Sequence, residues 1–239
     1  MKKTLLGFTL IIVLIAFLSS CDKDESLTLY GGMEYIRVDS ASWIEYSVDS
    51  IFLSDAAYPV ITFDTVHYEI REVVDSTFKD LEGRDAYRIT RYRRPSSASA
   101  WRIDRVWSAA LTSKYYEKNE DDIIYVKLAF PLEKGSTWKG NAKIAPVGAN
   151  AYLKDWTYTC EDIHQSWSSG TLNFDSTLHV IQHDEENLIE KRFSEERYAK
   201  GVGLVYKRIL WLEKQNNLSN GWEFPESGLM VIYRVIAHS

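Results

Sequence analysis

Trp43-Ile44-Glu45-Tyr46-Ser47-Val48-Asp49 alternates apolar and polar side chains with a period of two. Successive side chains of an extended chain point to opposite faces, so Ile44, Tyr46 and Val48 share one face and Glu45, Ser47 and Asp49 the other, as in a half-buried strand. Val66 to Arg71 repeats the period with Val66, Tyr68 and Ile70 on its apolar side. Tyr87-Arg88-Ile89-Thr90 repeats it again after the turn signal Lys79-Asp80-Leu81-Glu82-Gly83, which predicts a hairpin.

Outward from this unit the same reading continues. Trp101, Ile103 and Trp107 mark one strand and Ile124, Val126, Leu128 and Phe130 another, ended by Pro131 and a turn at Gly135. Gly140 to Asn150, with Gly140, Pro146 and Gly148, predicts a loop, and Tyr152 to His164, rich in Trp, Tyr and Thr, a strand. Leu178 to Gln182, Leu188 to Phe193, Gly203 to Leu212 and Leu229 to Ile236 follow, and Val231-Ile232-Tyr233, apolar on both faces, predicts a central strand. Only Ser113 to Asn119 and Ser194 to Lys200 suggest helix, and both are short. The expectation is an all-β, mainly antiparallel single domain of about nine to eleven strands, built as a curved sheet, half-barrel or sandwich with at most short helices.

Composition agrees with a folded domain: eight Trp and fifteen Tyr, with only five Pro and twelve Gly in 239 residues. A formal charge of −6 argues against generic attraction to nucleic acid, and no nucleic-acid partner is expected. The N-terminus has a different character. Met1-Lys2-Lys3 precedes an apolar run from Leu5 to Leu18, shorter than the roughly 20 residues of a spanning helix, so residues 1–20 read as a signal peptide. Leu18-Ser19-Ser20-Cys21 resembles the lipobox of bacterial lipoproteins. That resemblance implies cleavage before Cys21, acylation of its sulfur and amino group, and a membrane partner reached through the lipidated cysteine. Several acyl chains at roughly 0.8 kcal/mol per buried methylene make such an anchor permanent. The plain alternative is an ordinary cleaved signal with a coincidental cysteine.

Asp22-Lys23-Asp24-Glu25 resembles the surface-export signal of Bacteroidota lipoproteins, and equally reads as a solvated tether over residues 21–32, ahead of a β domain at 33–239. Glu196 to Tyr206 resembles a segment of secreted bacterial half-barrel proteins, some of which carry lipidated cargo. Phe130-Pro131 with Trp138-Lys139-Gly140-Asn141 is similar to lipoproteins of the Bacteroidota. Five Asp-Ser or Asp-Thr pairs resemble the O-glycosylation acceptor of that group, which implies Ser40, Ser50, Thr65, Ser76 and Ser176 as acceptors. The other reading is local side-chain bonding at strand ends.

No constellation assembles a catalytic centre. His179 and His183 would neighbour one another on a helix, but on a strand they stand about 13 Å apart, too far to share an ion. Cys160, Asp162 and His164 alternate along one strand face, again too extended for a Cys-His pair. Cys160 reads instead as a small buried apolar residue. The phosphate-loop, nucleophile-elbow and EF-hand patterns are absent. The expectation is no catalytic residue, no metal site and no cofactor. The arginine cluster around Arg88, Arg91, Arg93 and Arg94 admits two readings: a patch for an anionic ligand, or cross-strand pairing with Glu69, Glu72 and Asp75.

These observations predict a lipid-anchored outer-membrane protein, on the periplasmic or cell-surface side, with a non-enzymatic binding or scaffolding domain. Its partner would be an envelope protein, glycan or lipid. The alternatives are a half-barrel carrier of a lipid or other apolar ligand, and a glycan-binding or glycan-processing protein.

Overall fold

A computed structural model describes residues 31–239 apart from 58–59, 146, 154–155, 216–220 and 223–224. The signal segment, Cys21 and the tether up to residue 30 lie outside the described residues. Gly31 and Gly32, expected at the end of the tether, are already tied to the domain: Leu132 N–H donates to the Gly31 carbonyl at 2.8 Å, and Gly32 N–H to Glu34 Oε2 at 2.9 Å.

Twelve strands run in chain order: β1 (Trp43–Ala57), β2 (Val60–Lys79), β3 (Asp85–Arg94), β4 (Arg102–Leu111), β5 (Tyr115–Glu120), β6 (Ile123–Ala129), β7 (Thr137–Trp138), β8 (Tyr158–Ser168), β9 (Asn173–Glu186), β10 (Glu190–Ala199), β11 (Gly203–Glu213) and β12 (Ser227–His238). Short 3-10 turns at Met33–Tyr35 and Gly148–Leu153 are the only helical elements among the described residues. All strands belong to one antiparallel sheet of order β6-β5-β4-β3-β2-β1-β12-β11-β10-β9-β8-β7, which curls into a nearly closed barrel. A single sheet replaces the sandwich alternative. Chain-end strands β1 and β12 pair at its centre, in line with the two-sided apolar character of Val231 to Tyr233.

The barrel's seam therefore falls between β6 and β7. It is bridged without a regular ladder: Val126 N–H donates to the Gly140 carbonyl at 2.8 Å, and Trp138 Nε1–H to the Val126 carbonyl at 2.9 Å. Trp138, Tyr158, Cys160, Leu178 and Val180 from one side of the seam pack with Tyr116, Val126 and Leu128 from the other. A second cluster around Tyr46, Val48, Ile70, Val205 and Val235 fills the barrel where β1, β2, β11 and β12 meet.

Both helix candidates are strands, one adding a strand to the expected set and the other lengthening the strand predicted at Leu188 to Phe193. Ser113 to Asn119 contributes β5, and Ser194 to Lys200 mostly falls within β10. Lys118 and Glu120 on β5, and Glu196 on β10, face inward beside Tyr116 and Tyr198. Charged residues on the inner face erase the apolar alternation that would mark a strand. The predicted strand from Tyr152 likewise begins only at Tyr158, Tyr152 and Leu153 closing the 3-10 turn.

Candidate functional site: a charged interior and an outer groove

The inner face carries a ladder of opposite charges drawn from five strands. Lys127 Nζ (β6) lies 2.9 Å from Glu196 Oε1 (β10) and 3.3 Å from Glu120 Oε1 (β5). Lys207 (β11) stands 3.5 Å from Glu196 and 3.9 Å from Glu120. Lys118 (β5) is 2.9 Å from Glu72 Oε2 (β2) and 3.7 Å from Glu120. Tyr198 hydroxyl donates to the second oxygen of Glu196.

Burial alone would favour the neutral carboxyl at Glu120, but Lys127, Lys207 and Lys118 outweigh it and hold the group below its ordinary range. Glu196 is shifted in the same direction, burial being overcome by Lys127 and Lys207. Burial likewise opposes the charge on Lys127, and Glu120 with Glu196 raises it well above the usual lysine range. Glu120, Glu196, Lys118 and Lys127 are thus each shifted toward their charged forms and stay ionised near neutrality, so these four are not poised to exchange a proton as general acid or base.

Two small cavities border this ladder. One, of about 60 Å³, lies among Tyr46, Glu72, Tyr116, Lys118 and Tyr198, and the other, of about 100 Å³, among Tyr125, Tyr158, Gln182, Ser194 and Lys207. Each has room for a few waters, against the roughly 300–1,000 Å³ of a small-molecule site.

The four arginines of the predicted patch divide between the two faces of β3. Arg91 points inward, 7 % exposed, with its guanidinium 4.4 Å from the Trp107 ring, 3.9 Å from Glu72 and donating to Tyr233 hydroxyl at 2.8 Å. Arg93 shares that parity and lies 3.8 Å over the Tyr68 ring. On the opposite face Arg94 donates to Glu69 at 2.6 Å and stacks 4.1 Å from Trp101, while Arg88 sits 3.8 Å from Asp75. Strand alternation separates the group, and three of its members meet the Glu69, Glu72 and Asp75 partners across the β2–β3 ladder.

The other candidates are also dispersed. Bulges in β8 break the common face expected for Cys160, Asp162 and His164. Cys160 is fully buried, Asp162 pairs with Lys134 at 2.8 Å, and His164 Nδ1 meets Tyr35 hydroxyl at 2.8 Å. His179 bonds Glu195 at 2.7 Å, whereas His183 stacks on Trp156 with ring centroids 4.4 Å apart. Among the described residues no group of three or more His, Cys, Asp and Glu side chains is placed to hold a metal.

Of the five hydroxyls in Asp-Ser and Asp-Thr pairs, Ser40, Thr65 and Ser76 are exposed. Ser50 is buried with its hydroxyl 3.3 Å from Tyr68, and Ser176 is half-buried against Tyr35 at 2.8 Å.

A feature that the sequence reading missed lies outside the barrel. Arg234, Tyr206, Arg197 and His179 are successive Cα partners across β12, β11, β10 and β9, and so share one outer face. Arg234, Tyr206 and Arg197, with Arg208, Glu195, Trp167 and the Ser168–Gly170 turn, shape an open groove of about 340 Å³. These residues are distant in sequence, and only the register brings them together. Compared with protein-family models, curated proteins and solved structures, the chain matches none.

Proposed function

We propose that the chain is a lipid-anchored envelope protein, held through Cys21, whose barrel is a non-enzymatic binding or scaffolding domain. The observation that carries the reading is the occupied interior. A ladder of ionised lysines and glutamates spans the barrel, and the cavities beside it are far smaller than a carried lipid. Such an interior specifies and rigidifies the barrel and leaves recognition to its outside. The same filling weighs against the half-barrel carrier, which needs a continuous apolar cavity.

The anchor rests on the Leu18-Ser19-Ser20-Cys21 pattern and is tested by inhibiting signal peptidase II in producing cells. An uncut precursor is expected, and normal maturation would remove the anchor from the proposal. Affinity purification of the full chain from solubilised membranes, with mass spectrometry of protein, glycan and lipid together, tests the binding role. Stoichiometric recovery of an acyl lipid from the barrel would instead favour carriage.

A further inference from the structure

We infer that the outer groove between β8 and β12 is a binding site for an acidic saccharide, with Arg197 as its anion-reading residue. The inference rests on the reading of the barrel as a binding domain and names the ligand class of one face.

Three guanidinium groups converge there, and they are not equivalent. Arg234 Nη1 is held by Asp49 Oδ2 at 2.8 Å. Arg208 Nε lies 2.6 Å from Glu195 Oε1, whose other oxygen accepts from or shares a proton with His179 at 2.7 Å. Arg197 has no carboxylate within 4 Å among the described residues. Its one hydrogen bond there is donated by Nη1 to Thr177 Oγ1 at 3.2 Å. Glu195 and Asp49 thus balance two of the three cations, and the groove keeps one positive charge on a half-buried side chain with unused donors. Burial depresses the affinity of Arg197 for its proton, Glu195 and Asp162 partly offsetting this.

An isolated guanidinium partly removed from water gains most from an oxyanion that meets its planar fork. The surroundings specify what carries that oxyanion. Tyr206 lies between Arg197 and Arg234 in the register, with strands about 4.8 Å apart, so two guanidiniums flank one phenol. Trp167 adds a second ring, its centroid 5.4 Å from that of Tyr206 and 5.7 Å from the Arg197 guanidinium. Ser168 and Ser169 line the rim, their hydroxyls donating to the Leu172 carbonyl at 3.3 and 3.4 Å, and the side chains of Arg208 and Arg234 are 38 % and 39 % exposed. Aromatic edges and a cation in an open, polar groove suit a hydroxylated ring bearing a carboxylate or sulfate. An acyl chain would find little apolar surface there.

The test is binding of the purified, detergent-solubilised full chain to an array of uronate-containing, sulfated, sialylated and neutral glycans. Titrations with inorganic phosphate and with phosphatidylglycerol vesicles run alongside. Retention of a carboxylated or sulfated glycan above its neutral counterpart is expected. Arg197→Gln, which removes the charge and keeps a polar side chain, should lose at least tenfold in affinity, and Arg197→Lys should retain part of it. Far-ultraviolet circular dichroism and the melting temperature verify that both variants fold.

Equal retention of neutral glycans, binding of phosphate or vesicles alone, or unchanged affinity in folded Arg197→Gln would each overturn the inference. A protein partner recovered from membranes in that case would leave the binding-domain reading standing. Failure of both experiments would remove both.

Discussion

Lys127 on β6 and Glu196 on β10 meet at 2.9 Å inside the barrel, although seven strands separate them along the sheet. Their contact closes the barrel electrostatically from wall to wall. Removing one member strands a buried charge, which costs about 3–5 kcal/mol, whereas replacing both by apolar groups is often close to neutral. Lys127→Met should therefore destabilise the fold by roughly that amount. Lys127→Met with Glu196→Leu should recover much of the loss, since Glu120 keeps Lys118 and Lys207. Urea denaturation of the three proteins measures this, and a double variant as weak as the single one would contradict it.

The same ladder sets a pH window. Glu120 and Glu196 titrate below the ordinary carboxyl range of about 4.3, so their stabilisation is present above that value and is lost as pH falls through the depressed folded values. Lys118 and Lys127 titrate above the ordinary lysine value of about 10.4, so theirs is present below it and fades as pH rises beyond. The ladder by itself should keep the melting temperature flat from about pH 5 to pH 9 and lower it on both sides, while His183, whose burial depresses its affinity for a proton, takes away some stability below about pH 6.5. In Lys127→Met the deficit should shrink on acidification, because the carboxyls it leaves behind protonate more readily. A deficit that is constant down to pH 3 would count against this coupling.

The fold was legible wherever one face of a strand was apolar: Ile44, Tyr46 and Val48 define β1, and Val66, Tyr68 and Ile70 lie in β2. It was illegible where the inner face is charged. Lys118, Glu120 and Glu196 look solvent-facing in sequence, so β5 and the second half of β10 read as short helices. Their partners come from remote strands, and no local pattern announces the pairing. Bulges add a second limit, because the two-residue period of β8 fails at Asp162 and His164 and took the supposed Cys160 face with it. The outer groove was invisible for a related reason: Arg197, Arg208 and Arg234 lie on three different strands.

Arg91 and Arg93 share a face of β3 but not an environment. Arg91 is wedged between Trp107 and Tyr233 beside Glu72, whereas Arg93 is exposed over Tyr68. Arg91→Glu places an unpaired acid next to Glu72 in the interior and should cost more than about 3 kcal/mol. Arg93→Glu loses an exposed cation–π contact and should cost about 1 kcal/mol or less. Melting temperatures of the two variants separate these environments, and similar losses would show that the two arginines belong to one patch.

Burial, followed by Asp162 and Glu161, pushes the Cys160 thiol up to about 11. At pH 8 the thiolate is then scarce, and the sulfur has no exposed surface through which to react. Peptide-resolved mass spectrometry after iodoacetamide treatment at pH 8 should find Cys160 unmodified in the native protein and fully alkylated in urea. Rapid native alkylation would instead mark a nucleophile.

Gly140 holds the seam through its close approach to another side chain. A Cβ at this position would run into the Tyr158 ring, while the Gly140 carbonyl accepts Val126 N–H from the facing edge at 2.8 Å. Gly140→Ala must push either the ring or the backbone, and overpacking of this kind costs about 1–3 kcal/mol. Because the displaced carbonyl is the acceptor for β6, amide exchange at Val126 should accelerate beyond what the global loss of stability accounts for. Shrinking the ring in Gly140→Ala/Tyr158→Leu frees the space, and so should return Val126 toward its original protection even though Tyr158 itself contributes to the core. If exchange at Val126 follows global stability alone in both variants, the bond across the seam is not what joins the two edges.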